Sequence, residues 1–200
     1  MQALARIPPV KKPGTIRDLG SADVTALASA VGQLSEAVWA GQDSCKENDF
    51  PVLGKTRHIV FRFIRHNRDP QDFYSNRIWD IWRPKLLPVM EQVTAGYRHR
   101  ETVYPKVMLA RLPAGERIGA HSDGQGSHAY THKIHVPLIS NPDAIFTVGD
   151  TAQHLEVGRA YEVNNIVHHS AINRGDEDRI HLIFEHFDQS RAYQQTGEEG

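Results

Sequence analysis

The 200-residue sequence is poor in the features of secreted, membrane and strongly charged proteins. Its single cysteine, Cys45, excludes an intrachain disulfide and favours a reducing compartment. No apolar run is long enough to span a bilayer, and residues 1–14 lack the apolar centre of a signal peptide. The 23 basic residues nearly cancel the 24 acidic ones, which disfavours a nucleic-acid binder. We therefore expect a cytoplasmic protein with no membrane partner.

The spacing of apolar residues divides the chain into two parts of one predicted domain, 1–200. Residues 1–102 are predicted to form an N-terminal arm, helices and one supporting strand. Helical spacing begins after Ser21 and returns at 78–93, whereas the run HIVFRFI at 58–64 is typical of a strand. The first part is therefore expected to be mostly helical.

The second part, residues 103–188, consists of short apolar or alternating runs separated by glycine-containing turns. Many short strands at such spacing are typical of an antiparallel sandwich or barrel. Residues 189–200 are predicted to be a tail. The predicted fold class is therefore α+β, mainly β, with the N-terminal helices packed on the β-structure.

Histidine is concentrated in the predicted β-region, where nine of the chain's 12 histidines lie between residues 121 and 186. His121 and Asp123 stand two apart, so at a strand end both side chains point to the same side. His169 follows 46 residues after Asp123. Two histidines and one carboxylate form the facial triad of non-haem Fe(II) oxygenases, which leaves coordination positions open. Arg179, ten residues further on, offers a forked cation suited to a dicarboxylate.

Three segments within 109–188 resemble the aspartyl/asparaginyl β-hydroxylase family. They are LPAGERIGAHSD at 112–123, NNIVHHSAIN at 164–173 and DRIHLIF at 178–184. Members of that family are Fe(II)- and 2-oxoglutarate-dependent oxygenases built on a double-stranded β-helix, or jelly roll. The resemblance implies this fold for residues 103–188. It also implies a hydroxylase that uses dioxygen and converts 2-oxoglutarate to succinate and CO₂.

The resemblance carries over to six positions in this sequence. It implies Fe(II) ligands at His121, Asp123 and His169, and 2-oxoglutarate contacts from Arg179, His135 and Lys133. Lysine stands at 133 where the family more often has arginine. The animal members that hydroxylate peptides lack the carboxylate ligand, so Asp123 places the chain nearer the bacterial branch. The implied substrate is an amino acid side chain of the Asp, Asn or Pro type, free or in a peptide.

Other interpretations of the same residues stay open. The pattern His169-x-x-x-Asn173 also fits a cupin-type metal enzyme that uses no 2-oxoglutarate, and a non-catalytic jelly-roll binding module is a third possibility. His168 competes with His169 for the ligand position. Strand alternation and the ten-residue spacing to Arg179 favour His169, which leaves His168 at the rim or behind the ligands.

Overall fold

The computed structural model describes residues 7–47, 49–124 and 126–193. Their secondary structure is, in chain order, β1 Ile16–Ser21, α1 Thr25–Gly32, α2 Glu36–Asp43, β2 Arg57–Ile64, β3 Phe73–Ser75, α3 Trp79–Thr94, β4 Thr102–Leu112, β5 Arg117–His121, β6 His132–Ile139, β7 Ala144–Val148, β8 Thr151–His154, β9 Arg159–Val163, β10 His169–Asn173, β11 Arg179–Asp188 and α4 Ser190–Tyr193. Short 3-10 turns lie at Pro51–Leu53, Arg65–Asn67, Ala95–Tyr97 and Ser127–Ala129.

The strands of the described residues form two antiparallel sheets. The large sheet has seven strands in the order β1-β9-β6-β11-β4-β2-β3, and the small sheet has four in the order β5-β10-β7-β8. Between them lies a cavity lined by residues of both sheets. The prediction of a mainly-β jelly roll with helices packed on it is confirmed.

Strand β11 runs through the middle of the large sheet, between β6 and β4. Because neighbouring side chains point to opposite faces, its residues divide into two rows. Leu182 and Phe184 are fully buried in the core that the helices share with the outer face of the sheet. Arg179, Ile183 and Glu185 line the cavity on the inner face. The alternation of this one strand therefore separates the core from the candidate site.

The three longer helices cover the outer face of the large sheet with apolar side chains. Val31 of α1, Trp39 of α2 and Met90 of α3 are almost completely buried there. Helix α2 begins after Ser35, whose hydroxyl accepts a hydrogen bond from the Val38 amide, as is typical of an N-cap. Among the described residues, no helix is long and apolar enough to cross a membrane.

The N-terminal part contributes three strands to the large sheet, where the sequence predicted one. Residues 16–21 form the edge strand β1 instead of an irregular arm. The edge position demands little apolar alternation, and Gly20, with φ +99°, interrupts the pairing register. The helical segment after Ser21 also divides into α1 and α2, whereas α3 continues through Pro84 and Pro88.

Candidate metal and cosubstrate site

Three side chains of the small sheet converge at the mouth of the cavity. His169 at the start of β10 lies directly opposite His121 at the end of β5 in the strand register. Asp123 follows two residues after His121, where its amide donates to the Asn165 carbonyl at 3.0 Å. One ligand atom from each of these three residues lies within 4.8 Å of the other two. The structure therefore brings His121, Asp123 and His169 together in a geometry that could hold one metal ion.

Hydrogen bonds to the backbone fix which nitrogen of each histidine is free. Nδ1 of His121 lies 2.9 Å from the Gly119 carbonyl, and Nδ1 of His169 lies 3.0 Å from the Val167 carbonyl. A carbonyl can only accept, so both Nδ1 atoms carry the hydrogen. Each Nε2 then keeps a free lone pair and lies near Asp123 Oδ1, at 3.8 Å for His121 and 3.6 Å for His169. This is the usual arrangement of histidines that ligate metals.

The second oxygen of Asp123 is held by groups behind the ligands. Oδ2 accepts from the Lys133 ammonium and, at 3.1 Å, from the side-chain amide of Asn165. Asn165 is fully buried and in turn accepts from the Lys12 ammonium at 2.7 Å. Burial alone would raise the pKa of Asp123, but the Lys133 ammonium holds it well below its ordinary value. Asp123 is therefore an ionised, oriented carboxylate with Oδ1 left for a metal.

Arg179 lies deeper in the cavity and has no acidic partner among the residues that the structure describes. Its side chain is 4 % exposed, and its guanidinium lies within 3 Å of the His181 ring and 5.8 Å from the centroid of Phe146. Burial lowers its pKa to about 10. A buried cation without a counterion is costly, so this position favours an anionic ligand.

His135 and Phe146 connect Arg179 to the metal triad. The Phe146 ring lies 5.0 Å from the ring of His135 and 6.1 Å from that of His169. Both nitrogens of His135 are buried without a hydrogen-bond partner among the described residues, which is costly unless a ligand supplies one. Burial, reinforced by Lys133 and Arg179, keeps the pKa of His135 well below its ordinary value, so the ring is neutral.

The other histidines considered from the sequence lie elsewhere. His168 is exposed, and its carbonyl accepts from the Gly149 amide. His186, which forms the chain's other His-x-Asp pair with Asp188, is buried against His99 at a ring distance of 4.2 Å. Neither contributes to the group formed by His121, Asp123 and His169.

The opposite end of the cavity holds charged residues that the sequence reasoning missed. Lys106 on β4 and Glu185 on β11 form a buried ion pair at 2.9 Å. His128 Nδ1 lies 3.1 Å from the same carboxylate, and Thr131 donates to its other oxygen at 2.8 Å. Strand alternation could have found Glu185, because it shares a face with Arg179 at a distance of six residues. The cavity that contains both ends has a volume of about 690 Å³.

Comparison with known proteins identifies the family. A model of the aspartyl/asparaginyl β-hydroxylases matches residues 82–188, which is more than half of the chain. The chain belongs to this family. It is thus a hydroxylase-type enzyme of the oxygenase class, and the matched region contains all six site residues that the resemblance implied. No curated protein matches the chain in sequence.

Solved structures with a similar fold include other oxygenases. A 2OG-Fe(II) oxygenase-family oxidoreductase from Burkholderia pseudomallei is 10% identical, with a TM-score of 0.51 over 67% of each chain. The non-heme monooxygenase ThoJ, in a nickel complex, is 12% identical, with a TM-score of 0.51 over 94% of this chain and 76% of that one. At such low identities, these likenesses show the fold alone.

Proposed function

We propose that this hydroxylase uses Fe(II) and 2-oxoglutarate to hydroxylate an amino acid with dioxygen. One oxygen atom converts a substrate C–H bond to C–OH, and the other enters succinate as 2-oxoglutarate loses CO₂. The observation that carries the proposal is the joint presence, in one cavity, of a two-histidine, one-carboxylate group and a buried arginine that has no acidic partner among the described residues. A volume of about 690 Å³ lies within the range of roughly 300–1,000 Å³ typical of small-molecule sites.

The residues fit the metal by their chemistry. Imidazole and carboxylate donors on three positions suit Fe(II) and leave the remaining positions to exogenous ligands. His121 and His169 would each offer Nε2, because their Nδ1 hydrogens are already donated to backbone carbonyls. Asp123 would offer Oδ1, while Lys133 and Asn165 hold Oδ2. When bound, Fe(II) would supply the activation of dioxygen that no side chain can perform.

The residues also fit 2-oxoglutarate, a dicarboxylate. Arg179 would pair with the carboxylate far from the metal, since its fork of N–H groups has no acid to bind among the described residues. His135, a neutral ring with one N–H, would donate to an oxygen of the same ligand, since neither of its nitrogens has a partner among the described residues. Phe146 packs between Arg179 and His169 and lines the path between them with an apolar ring. A cupin-type enzyme without 2-oxoglutarate would leave the Arg179 charge unused.

Calorimetry of the purified protein tests the proposal. Anaerobic titration with Mn(II), a redox-stable probe of the iron position, is expected to show one site, and 2-oxoglutarate is expected to bind tightly only after the metal. His169→Ala should abolish metal binding, whereas the matched variant His168→Ala should bind like the wild type because His168 is exposed. Metal binding without 2-oxoglutarate binding would favour the cupin-type alternative. Absence of metal binding would favour a non-catalytic module.

A further inference from the structure

We propose that the Lys106–Glu185 ion pair binds the α-carboxylate and α-ammonium groups of a free amino acid. The inference rests on the proposed function and names its substrate class: a free zwitterion and not a residue within a peptide. It starts from the charged end of the cavity opposite Arg179. Neither the metal triad nor the residues assigned to 2-oxoglutarate account for these groups.

The strand register places this ion pair close to the metal triad. Glu185 on β11 is the direct cross-strand partner of Lys133 on β6 and of Lys106 on β4. Adjacent strands lie about 4.8 Å apart, so Lys106 and Lys133 are separated by roughly 10 Å across the sheet. Lys133 contacts Asp123 directly. A small molecule held at Lys106 and Glu185 can therefore extend to the triad.

The ion pair is part of a built polar site. Side chains of Lys106 and Glu185 are only 8 % and 1 % exposed. Besides Glu185, the Lys106 ammonium donates to Asn67 Oδ1 at 2.8 Å and lies 5.0 Å from the centroid of Phe63. Glu185 Oε1 lies 2.9 Å from the Lys106 ammonium and 3.1 Å from His128 Nδ1, and both Lys106 and Glu185 line the cavity. A carboxylate has about four acceptor sites, so Glu185 can also accept from a ligand N–H donor at the cavity surface.

Charge balance favours a zwitterion at this pair. Lys106 and Glu185 together carry no net charge, so a ligand with one net charge would leave one buried charge uncompensated. A free amino acid brings opposite charges on adjacent atoms, and each can pair with its counterpart. A peptide residue brings two neutral amides in their place. The two ends of the cavity would thus select ligands of different charge, a dianion at Arg179 and a neutral zwitterion at Glu185.

Next to the Lys106–Glu185 pair, on the side toward Arg179, the cavity surface includes apolar side chains. Met108 and Ile183 are paired across β4 and β11, one step from Lys106 and Glu185 toward the interior, and both line the cavity. An amino acid anchored by its α-groups would place its side-chain carbons over this surface. The C–H bond offered for hydroxylation would then belong to the side chain and not to the backbone.

Succinate release from 2-oxoglutarate, under air with Fe(II), tests this inference. The probes are the twenty common L-amino acids and their Nα-acetyl carboxamide derivatives, which lack both charges. We expect at least one free amino acid to raise the rate tenfold or more over the rate without substrate, while its blocked derivative does not. The double variant Lys106→Gln/Glu185→Gln, which removes both charges, should raise the KM for that amino acid at least tenfold.

Two further measurements make the result decisive. Calorimetric binding of Mn(II) and 2-oxoglutarate to the double variant should match that of the wild type, which shows a folded protein with an intact metal end. The matched control Asp18→Asn/Arg159→Gln removes an exposed ion pair between β1 and β9 and should behave as the wild type. Equal stimulation by a blocked derivative, no stimulation by any free amino acid, or an unchanged KM in the double variant would overturn the inference. Loss of metal and 2-oxoglutarate binding by the wild type would instead refute the proposed function.

Discussion

The two ends of the inner face of β11 hold buried cations in opposite situations. At one end, Arg179 has no acidic partner among the described residues, and burial lowers its pKa to about 10. Six residues along, roughly 20 Å away, Lys106 is paired with the buried Glu185. Burial would raise the pKa of Glu185, but Lys106 and His128 hold it well below its ordinary value.

This difference shows how a fold can prepare two kinds of binding site. At the Lys106 end, the two opposite charges are paired within the folded protein, so removal of one partner leaves the other as an unpaired buried charge. The Arg179 end has no counterion among the described residues, and we propose that a ligand supplies it. The cost of a buried unpaired charge is therefore present in the free protein at one end only.

The largest effect that we expect on stability comes from breaking the pair. Lys106→Met should lower the free energy of unfolding by about 3–5 kcal/mol, because Glu185 would remain buried without its cation. Arg179→Met should leave the free energy of unfolding unchanged or raise it, since it removes an uncompensated charge. Urea denaturation without metal or 2-oxoglutarate measures both. Equal destabilisation by the two substitutions would contradict the distinction between the ends.

For the affinity for 2-oxoglutarate, we expect the substitution at Arg179 to have the larger effect. With Mn(II) present, Arg179→Met should weaken 2-oxoglutarate binding by about 2–5 kcal/mol, the usual cost of truncating one partner of a buried charge pair. The charge-neutral double variant Lys106→Gln/Glu185→Gln should bind 2-oxoglutarate as the wild type does. Calorimetry at constant ionic strength measures the two dissociation constants. A larger loss of 2-oxoglutarate affinity in the double variant would indicate that the dicarboxylate binds at the Lys106 end of the cavity, and would contradict the account.

A smaller effect should follow from Gly126→Ala. Gly126 has φ +109°, and a Cβ there would lie 2.5 Å from the carbonyl oxygen of Asn67, the residue that contacts Lys106. We expect a loss of about 1–3 kcal/mol in the free energy of unfolding, as for other overpacking substitutions, and a higher KM for the amino acid. Binding of 2-oxoglutarate should be unchanged. Gly41→Ala in α2, where a Cβ meets nothing within 4 Å, is the matched control and should not destabilise.

The sequence could predict those site residues that combine a metal-binding or anion-binding side chain with a recognisable spacing along the chain. The His121-x-Asp123 pair, His169 and Arg179 lie at the ends of strand-like runs, and the structure places them around one cavity. Lys106 and Glu185 were harder to find, because 79 residues separate them in the chain and only the pairing of β4 with β11 makes them neighbours. Asn165 and Lys12 are joined by a hydrogen bond across 153 residues, which no local pattern indicates.

Part of the fold could likewise be predicted from the sequence. Strands of the second part have alternating apolar residues because one face is core, and they were found. Strand β1 at 16–21 is an edge strand with three half-buried and three exposed residues, so its sequence lacks that alternation. The apolar face of α3, which includes Leu86, Met90 and Val93, keeps the helix together across its two prolines because these residues are buried in the core.

Anaerobic visible absorption spectroscopy with Fe(II) and 2-oxoglutarate tests most directly whether the Arg179 end receives the dicarboxylate at the metal. For the wild type we expect a weak charge-transfer band that appears only when both are present. The band should persist in Lys106→Gln/Glu185→Gln. It should be absent from His169→Ala, and from Arg179→Met at a 2-oxoglutarate concentration that saturates the wild type. A wild type without the band, or an Arg179→Met variant that forms it at the same concentration, would contradict the assignment.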